Sequence, residues 1–177
     1  MTLNPRNLIF SMESRVNINR NCIFFLFIFL SFAVFSKDSN KPIFIKANSA
    51  EIDEIAGLSI YQGLVKITQG SLIITANEIK VYNDKKKISK VIAYGDKASP
   101  AYYKQDRKLT ERFVEAKAQE IIYIINDEMV HLKGEANLIQ GYDSFSGNTL
   151  DYDIKNDRVI AKKSEDGKDR VKFKIRL

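Results

Sequence analysis

From Lys41 onward the apolar residues of this 177-residue chain recur with a period of two, and no long window carries a helical stripe. Ile43-Phe44-Ile45, Leu72–Ala76, Ile79–Tyr82 and Ile121–Ile125 are short runs rich in β-branched and aromatic residues. Val171 to Leu177 alternates apolar and basic residues without a break. Successive strand side chains point to opposite faces, so this period gives each segment one apolar face and one wet face. Turn formers separate the runs: Gly57, Gly63, Gly70, Asn83-Asp84, Gly95-Asp96, Gly134, Gly141, Gly147 and Asp166-Gly167. Short strands at this spacing predict an all-β protein, an antiparallel sandwich, barrel or roll.

The sequence also repeats itself. Gly63-Leu-Val-Lys-Ile-Thr-Gln-Gly70 resembles Gly134-Glu-Ala-Asn-Leu-Ile-Gln-Gly141, at an offset of 71 residues. Asn77-Glu-Ile-Lys-Val81 and Asn148-Thr-Leu-Asp-Tyr152 keep the same offset, and Ile45-Lys-Ala47 with Glu51-Ile52 matches Val114-Glu-Ala116 with Glu120-Ile121. Each half is long enough for about four strands. A unit that cannot cover its own apolar face must stack on its copy, so the expectation is a stacked, elongated β structure of two related halves rather than a closed globule. Each glycine-to-Gln-Gly unit reads as a strand entered through a bulge and ended by a turn, places where glycine tolerates positive φ.

The first 36 residues do not belong to that pattern. Residues 22–35 are a short apolar run, Arg15 and Arg20 precede it, and Val34 and Ser36 are small residues before Lys37. This is the layout of a secretory signal, removed before Lys37. As a helix its 14 residues reach about 21 Å, short of the roughly 30 Å of a bilayer core; a retained membrane anchor is the alternative. Met12 is a second candidate start. Residues 37–177 then form one domain with net charge +4 in place of +6 and no cysteine, because Cys22 goes with the signal. No thiol or disulfide chemistry is left, and stability must come from the sheet and its core.

Signals for catalysis are thin. His131 is the only histidine, and it lies in the strand pattern Val130-His131-Leu132, which makes it a solvent-facing or rim residue. No nucleophile elbow, phosphate loop, metal-binding His/Cys cluster or cofactor signature occurs. Asp151-Tyr152-Asp153 with Asn156-Asp157 looks faintly like a calcium loop but lacks its central glycine and distal glutamate, so a solvated acidic face is expected there. Glu51, Asp53 and Glu54 are expected to decorate a hairpin end. Lys85-Lys86-Lys87 reads as a hairpin tip; no basic stripe with interleaved aromatics points to nucleic acid.

Three runs carry a resemblance to a known family: Lys41-Pro-Ile-Phe-Ile-Lys-Ala-Asn-Ser-Ala-Glu-Ile-Asp53, Tyr61-Gln-Gly-Leu-Val-Lys-Ile-Thr-Gln-Gly70 and Ile74-Thr-Ala-Asn-Glu-Ile79. Later matches are Gly95 with Ala98-Ser-Pro-Ala-Tyr-Tyr103, Ala118-Gln-Glu-Ile-Ile-Tyr123, and Leu132-Lys-Gly-Glu-Ala136. In this order they resemble the LptA/OstA-like family of lipopolysaccharide-export bridge proteins, over residues 41–176. The resemblance implies a twisted antiparallel β-jellyroll open at both ends, located in the periplasm of a Gram-negative bacterium, with lipid acyl chains in its interior. It implies an inner-membrane export component at the N-terminal edge, an outer-membrane translocon component at the C-terminal edge, and head-to-tail stacking. The sequence departs from the family pattern at Lys46, where an acidic or polar residue is frequent, and in its short basic C-terminal tail.

Within that frame the groove positions are Ile43, Ile45, Val65, Ile67, Tyr102, Tyr123 and Ile125. The assembly edges are Ile43, Phe44 and Ile45 at one end and Val171, Phe173 and Ile175 at the other. An unpaired strand edge invites another strand, and the lysines beside these edges weaken self-pairing. Two other readings of the residues stand beside this one: a membrane-anchored member of the same machine, and a secreted carbohydrate-binding or adhesive β module. The second would need exposed aromatic platforms, yet the chain has no tryptophan.

Overall fold

A computed structural model describes residues 41–107, 112–162 and 170–176. The proposed signal, the Asp166-Gly167 turn and Leu177 lie outside the described residues. Twelve strands follow one another: β1 Phe44–Lys46, β2 Ser49–Asp53, β3 Leu58–Gln69, β4 Leu72–Asp84, β5 Lys87–Tyr94, β6 Ala101–Arg107, β7 Arg112–Ala118, β8 Glu120–Ile124, β9 Met129–Gln140, β10 Asp143–Asp153, β11 Arg158–Lys162 and β12 Lys172–Lys174. All pairings are antiparallel within one sheet.

The long strands β3, β4, β9 and β10 are shared between two layers. Each pairs with one short strand near one end and another near the other. One layer runs β2-β3-β4-β5-β8-β9-β10-β11. The other runs β1-β3-β4-β6-β7-β9-β10-β12. The core fills the space between them, with Val65, Ile74, Ile79, Tyr103, Val114, Ile121, Val130, Leu132, Leu138, Leu150 and Tyr152 almost fully buried. Burying one such aliphatic side chain stabilises by roughly 1.5–3 kcal/mol.

Local chemistry explains how a strand passes between layers. In β3 the register slips between Gln62 and Val65, where Gly63 has φ +79° and the amide N–H of Asn48 donates to the carbonyls of Gln62 and Gly63. In β9 Gly134, at φ +77°, occupies the equivalent place, and the Gln119 N–H donates to its carbonyl. A bulge bends a strand and increases its twist. The facing strand β4 changes phase at the same level: Leu72, Ile74 and Ala76 point inward, then Ile79 and Val81 do. The expected runs Leu72–Ala76 and Ile79–Tyr82 are therefore one strand. Gly70 and Gly141, at φ +62° and +60°, sit at the turns that close the two β3-β4 and β9-β10 hairpins.

The two halves are β1–β6 and β7–β12, six strands each rather than about four. Strands β2, β3, β4, β5 and β6 begin 71 residues before β8, β9, β10, β11 and β12. The halves join where β5 pairs β8 and β6 pairs β7. The sheet does not close: among the described residues β1, β2, β11 and β12 each pair on one side only. An open β-jellyroll of two related halves is thus the observed architecture.

Candidate functional site

Between the layers, near the β1 end, lies an apolar cavity of about 90 Å³. Ile43, Ile45, Ile67, Leu72 and Ile74 form the wall from one layer, and Val81, Ile88, Val91, Tyr123 and Ile125 form the wall from the other. Gln69 and Gln105 are the polar members of the lining, and both are neutral. Gln69 donates from Nε2 to the Lys41 carbonyl at 3.1 Å, and Gln105 Oε1 accepts from the Tyr103 hydroxyl at 2.6 Å. A cavity walled mainly by aliphatic side chains, with both glutamines of its lining paired, offers water little and hydrocarbon much.

Strand parity builds the walls. Ile45 lies directly opposite Ile67 across β1-β3, and Ile67 directly opposite Ile74 across β3-β4. Val91 is opposite both Val81 and Tyr123. Tyr123 packs edge-on against Tyr103 from the other layer, ring centroids 6.1 Å apart. Burial, and then the nearby Glu128 carboxylate, push the Tyr123 phenol above its ordinary value. The ring therefore stays neutral at physiological pH.

Five of the seven expected groove residues meet at this cavity: Ile43, Ile45, Ile67, Tyr123 and Ile125. Val65 shares their face but lies in the packed core, 1% exposed. Tyr102 is on the opposite face of β6, in a row with Thr75 and Lys117. Its neighbour Tyr103, fully buried, points inward instead. Ala101, Tyr103 and Gln105 share that inward face, and a small and a polar flank left no apolar alternation to choose between the two tyrosines. Leu72, Ile74 and Val81 fall in runs read as strands, whereas Ile88 and Val91 lie in β5, which no run singled out. Their shared cavity depends on the phase change in β4, which sequence alone does not announce.

Of the expected edge residues, Phe44 and Ile45 lie in β1 and Phe173 in β12, while Ile43, Val171 and Ile175 flank those strands. Ile43, Phe44, Phe173 and Ile175 are 39%, 62%, 58% and 62% exposed. Phe173 stacks edge-on on Phe145 at 5.7 Å, and Val171 packs against the core. The C-terminal strand is shorter than Val171–Leu177, because after Lys174 the Arg176 N–H turns to Asp143 Oδ1 at 3.0 Å.

The acidic groups are used locally. Asp53 Oδ1 accepts from the Ala56 N–H at 2.8 Å, closing the β2-β3 hairpin. Lys85 and Lys86 form the β4-β5 turn. The expectation of a solvated face at Asp151 and Asp153 is corrected: they are 5% and 7% exposed. Asp151 Oδ1 lies 2.7 Å from Nδ1 of the half-exposed His131. Asp153 accepts from the Asn156 side chain at 2.7 Å and its N–H at 3.0 Å, and Arg158 approaches to 3.4 Å. Asp157 accepts from the Tyr152 hydroxyl at 2.7 Å. Each carboxylate finds donors within one hairpin, so burial costs it little.

Comparison with known proteins follows the same lines. Residues 44–158 match a family model described as LptA/(LptD N-terminal domain) LPS transport protein. The lipopolysaccharide export system protein LptH of Pseudomonas aeruginosa is 33% identical over 124 residues, 70% of either chain. The lipopolysaccharide export system protein LptA of Haemophilus influenzae is 29% identical over 137 residues, 76% of either chain. The crystal structure of P. aeruginosa LptH superposes with a TM-score of 0.70 at 30% identity, covering 79% of this chain and 99% of that one. It is described as the LptA-homologous periplasmic component of the lipopolysaccharide transport device.

Proposed function

The chain belongs to the LptA/LptD N-terminal-domain family of lipopolysaccharide transport proteins, and from that premise we propose that it is a periplasmic carrier, not an enzyme, which holds lipopolysaccharide acyl chains between its two β layers. The observation that carries this reading is the apolar cavity, walled from both layers and lined without a single charge. Each methylene kept from water is worth about 0.8 kcal/mol, so a multi-acyl lipid cannot cross water freely. A continuous apolar track of even affinity removes that barrier, and the driving energy comes from a partner, since the sequence has no phosphate loop. Residues 1–36 act as a cleaved signal in this reading; the intact mass of the exported protein should begin at Lys37, and retention of Cys22 would favour the anchored alternative.

The track continues from one module to the next through the free edges. Copies of the chain join head to tail, the inner-membrane export component meets β1 and β2, and the outer-membrane component meets β11 and β12. The internal junction is the template. Lys90-Val-Ile-Ala-Tyr94 in β5 corresponds to Arg158-Val-Ile-Ala-Lys162 in β11, since Val91 opposes Val81 and Val159 opposes the equivalent Tyr152. Tyr103 opposes Ile74, and Phe173 opposes the equivalent Phe145. Carrying the β5-β8 and β6-β7 registers to two copies sets Arg158 opposite Asp53, Val159 opposite Ile52, and Phe173 opposite Ile45. Such a contact does not close on itself and builds rods, with backbone hydrogen bonds fixing the register.

Photoreactive side chains test the groove. Placed at Ile45 or Tyr123 they should capture lipopolysaccharide in cells, whereas at the outward Tyr102 or Lys172 they should not; equal capture at all four overturns the groove. Cysteines at Ile45 and Phe173, in a Cys22→Ser background, should link separate copies through a disulfide.

A further inference from the structure

On the outer face of the β6-β7 layer the internal junction pairs opposite charges, and a junction between two copies does not; in the other layer a self-junction sets Arg158 opposite Asp53, an attraction. Across β6-β7, Lys104 opposes Glu115 with Nζ 2.9 Å from Oε1, and in the next row Tyr102 opposes Lys117. By the Tyr103–Phe173 equivalence, Lys174 and Lys172 take the places of Lys104 and Tyr102. By the equivalence of Ile45 opposite Ile67 with Ala116 opposite Leu138, Phe44 and Lys46 take the places of Glu115 and Lys117. A copy adding to β12 with its own β1 therefore sets Phe44 where Lys174 needs a carboxylate. It also sets Lys46 against Lys172. Lys66 already lies directly opposite Lys46 across β1-β3, so three cations would stand in one row. Among the described residues no carboxylate pairs with Lys46, Lys66, Lys172 or Lys174. Like charges directly opposite destabilise a strand pair and opposite charges stabilise it.

We infer that Lys172 and Lys174 code the C-terminal edge for an edge strand of another protein that carries carboxylates at the two outward positions facing them, in preference to this chain's own β1. The inference rests on the edge-to-edge reading above. The inward residues favour any apolar strand, because Phe173 would meet Ile45 and Ile175 would meet Ile43 in a self-junction. Discrimination is left to the outer row. This row opposes self-pairing while the Arg158–Asp53 pair of the other layer favours it, and a row of this chain ends when the acidic partner binds.

The test is a charge-reversal cycle on the complete gene product, with the Ile45–Phe173 disulfide as the register check and sedimentation as the readout. Lys46→Glu and Lys172→Glu each turn a repelling pair into an attracting one. Each should tighten self-association roughly three- to tenfold. The double variant sets Glu against Glu and should fall back to the wild-type level. Added salt should weaken the association of Lys46→Glu more than that of wild-type, because it screens an attraction in the one row and a repulsion in the other. A chain carrying Phe44→Glu and Lys46→Glu should outcompete wild-type as the acceptor for a wild-type β12. If the double variant associates more tightly than either single one, net charge and not register is responsible, and the inference fails. If the disulfide forms but no variant changes association, the inference fails while edge-to-edge assembly survives. If no disulfide forms in any variant, the edge reading itself falls. Both positions are exposed, and circular dichroism verifies that each variant is folded.

Discussion

Leu64 stands in the left-handed region at φ 48° with its side chain 82% exposed, a conformation that suits glycine or asparagine better than a branched aliphatic residue. Glu135, at φ 50°, holds the matching place in the second half and pairs with Lys97 at 2.8 Å. Leu64→Asn should therefore raise unfolding stability by roughly 1 kcal/mol, read from urea midpoints. Gly134→Ala should lower it by about 1–3 kcal/mol, because a Cβ at φ +77° would also come within 2.7 Å of Gln119 Oε1. Asp153 supplies a pH test. Hydrogen bonds from the Asn156 side chain, and then its N–H, hold the carboxyl below its ordinary 3.8, burial works against them, and Arg158 adds to them. A carboxyl lowered by folding stabilises above its unfolded value, and that contribution is lost as pH falls through the lowered native value. Wild-type should thus be more stable than Asn156→Ala at about pH 7, with the gap closing below about pH 3.8; a gap unchanged at about pH 2.5 would contradict this. None of that pairing was legible in Asp151-Tyr152-Asp153. Two acids on one strand face look solvated until the hairpin brings Asn156 and His131 onto them.

At the scale of strands, the sequence carried more. Period-two runs, Gly70 and Gly141 at the turns, and the 71-residue offset were all readable, because strand and turn chemistry are local. What stayed hidden was the sharing of four long strands between two layers. Gly63 and Gly134 read as bulges or breaks with equal ease, and Asn77-Glu78 looked like a gap because the inward phase changes there. The same layout predicts how inward positions on a covered and on an uncovered strand differ in energy. Ile121 in β8 is 1% exposed because β5 covers it, and Ile52 in β2, with no strand beyond it among the described residues, is 62% exposed. Ile121→Ala should cost about 2–5 kcal/mol. Ile52→Ala should change the isolated chain by less than about 0.5 kcal/mol, yet weaken head-to-tail association. Denaturant unfolding of the two variants at low protein concentration separates these outcomes, and a similar loss for both would mean that the terminal edge is already covered.

For the molecule as a whole, the size of the cavity sets a mechanical requirement. Its volume of about 90 Å³ is far below the roughly 300–1,000 Å³ of a site that encloses a drug-sized ligand. A multi-acyl lipid therefore enters only if a wall moves. The walls are not equally fixed. Val81, Val91 and Ile74 belong to strands paired on both sides, whereas Ile45 belongs to β1, which pairs β3 over three residues and has no other strand beside it among the described residues. Few backbone pairings and high exposure mark the segment that opens at least cost. Strand β1 is accordingly expected to swing from β3 as lipid enters, which would couple loading to docking at that edge. A clamp tests this without touching the groove. Phe44 and Thr68 face each other across β1-β3 on the outer face, and opposed Cα atoms in an antiparallel pair lie about 4.5–5.5 Å apart, within disulfide reach. In a Phe44→Cys/Thr68→Cys/Cys22→Ser chain, photocapture of lipopolysaccharide from Tyr123 should fall severalfold when the disulfide is formed and recover on reduction, with circular dichroism unchanged. Equal capture by the oxidised and reduced forms would place the opening elsewhere along the groove.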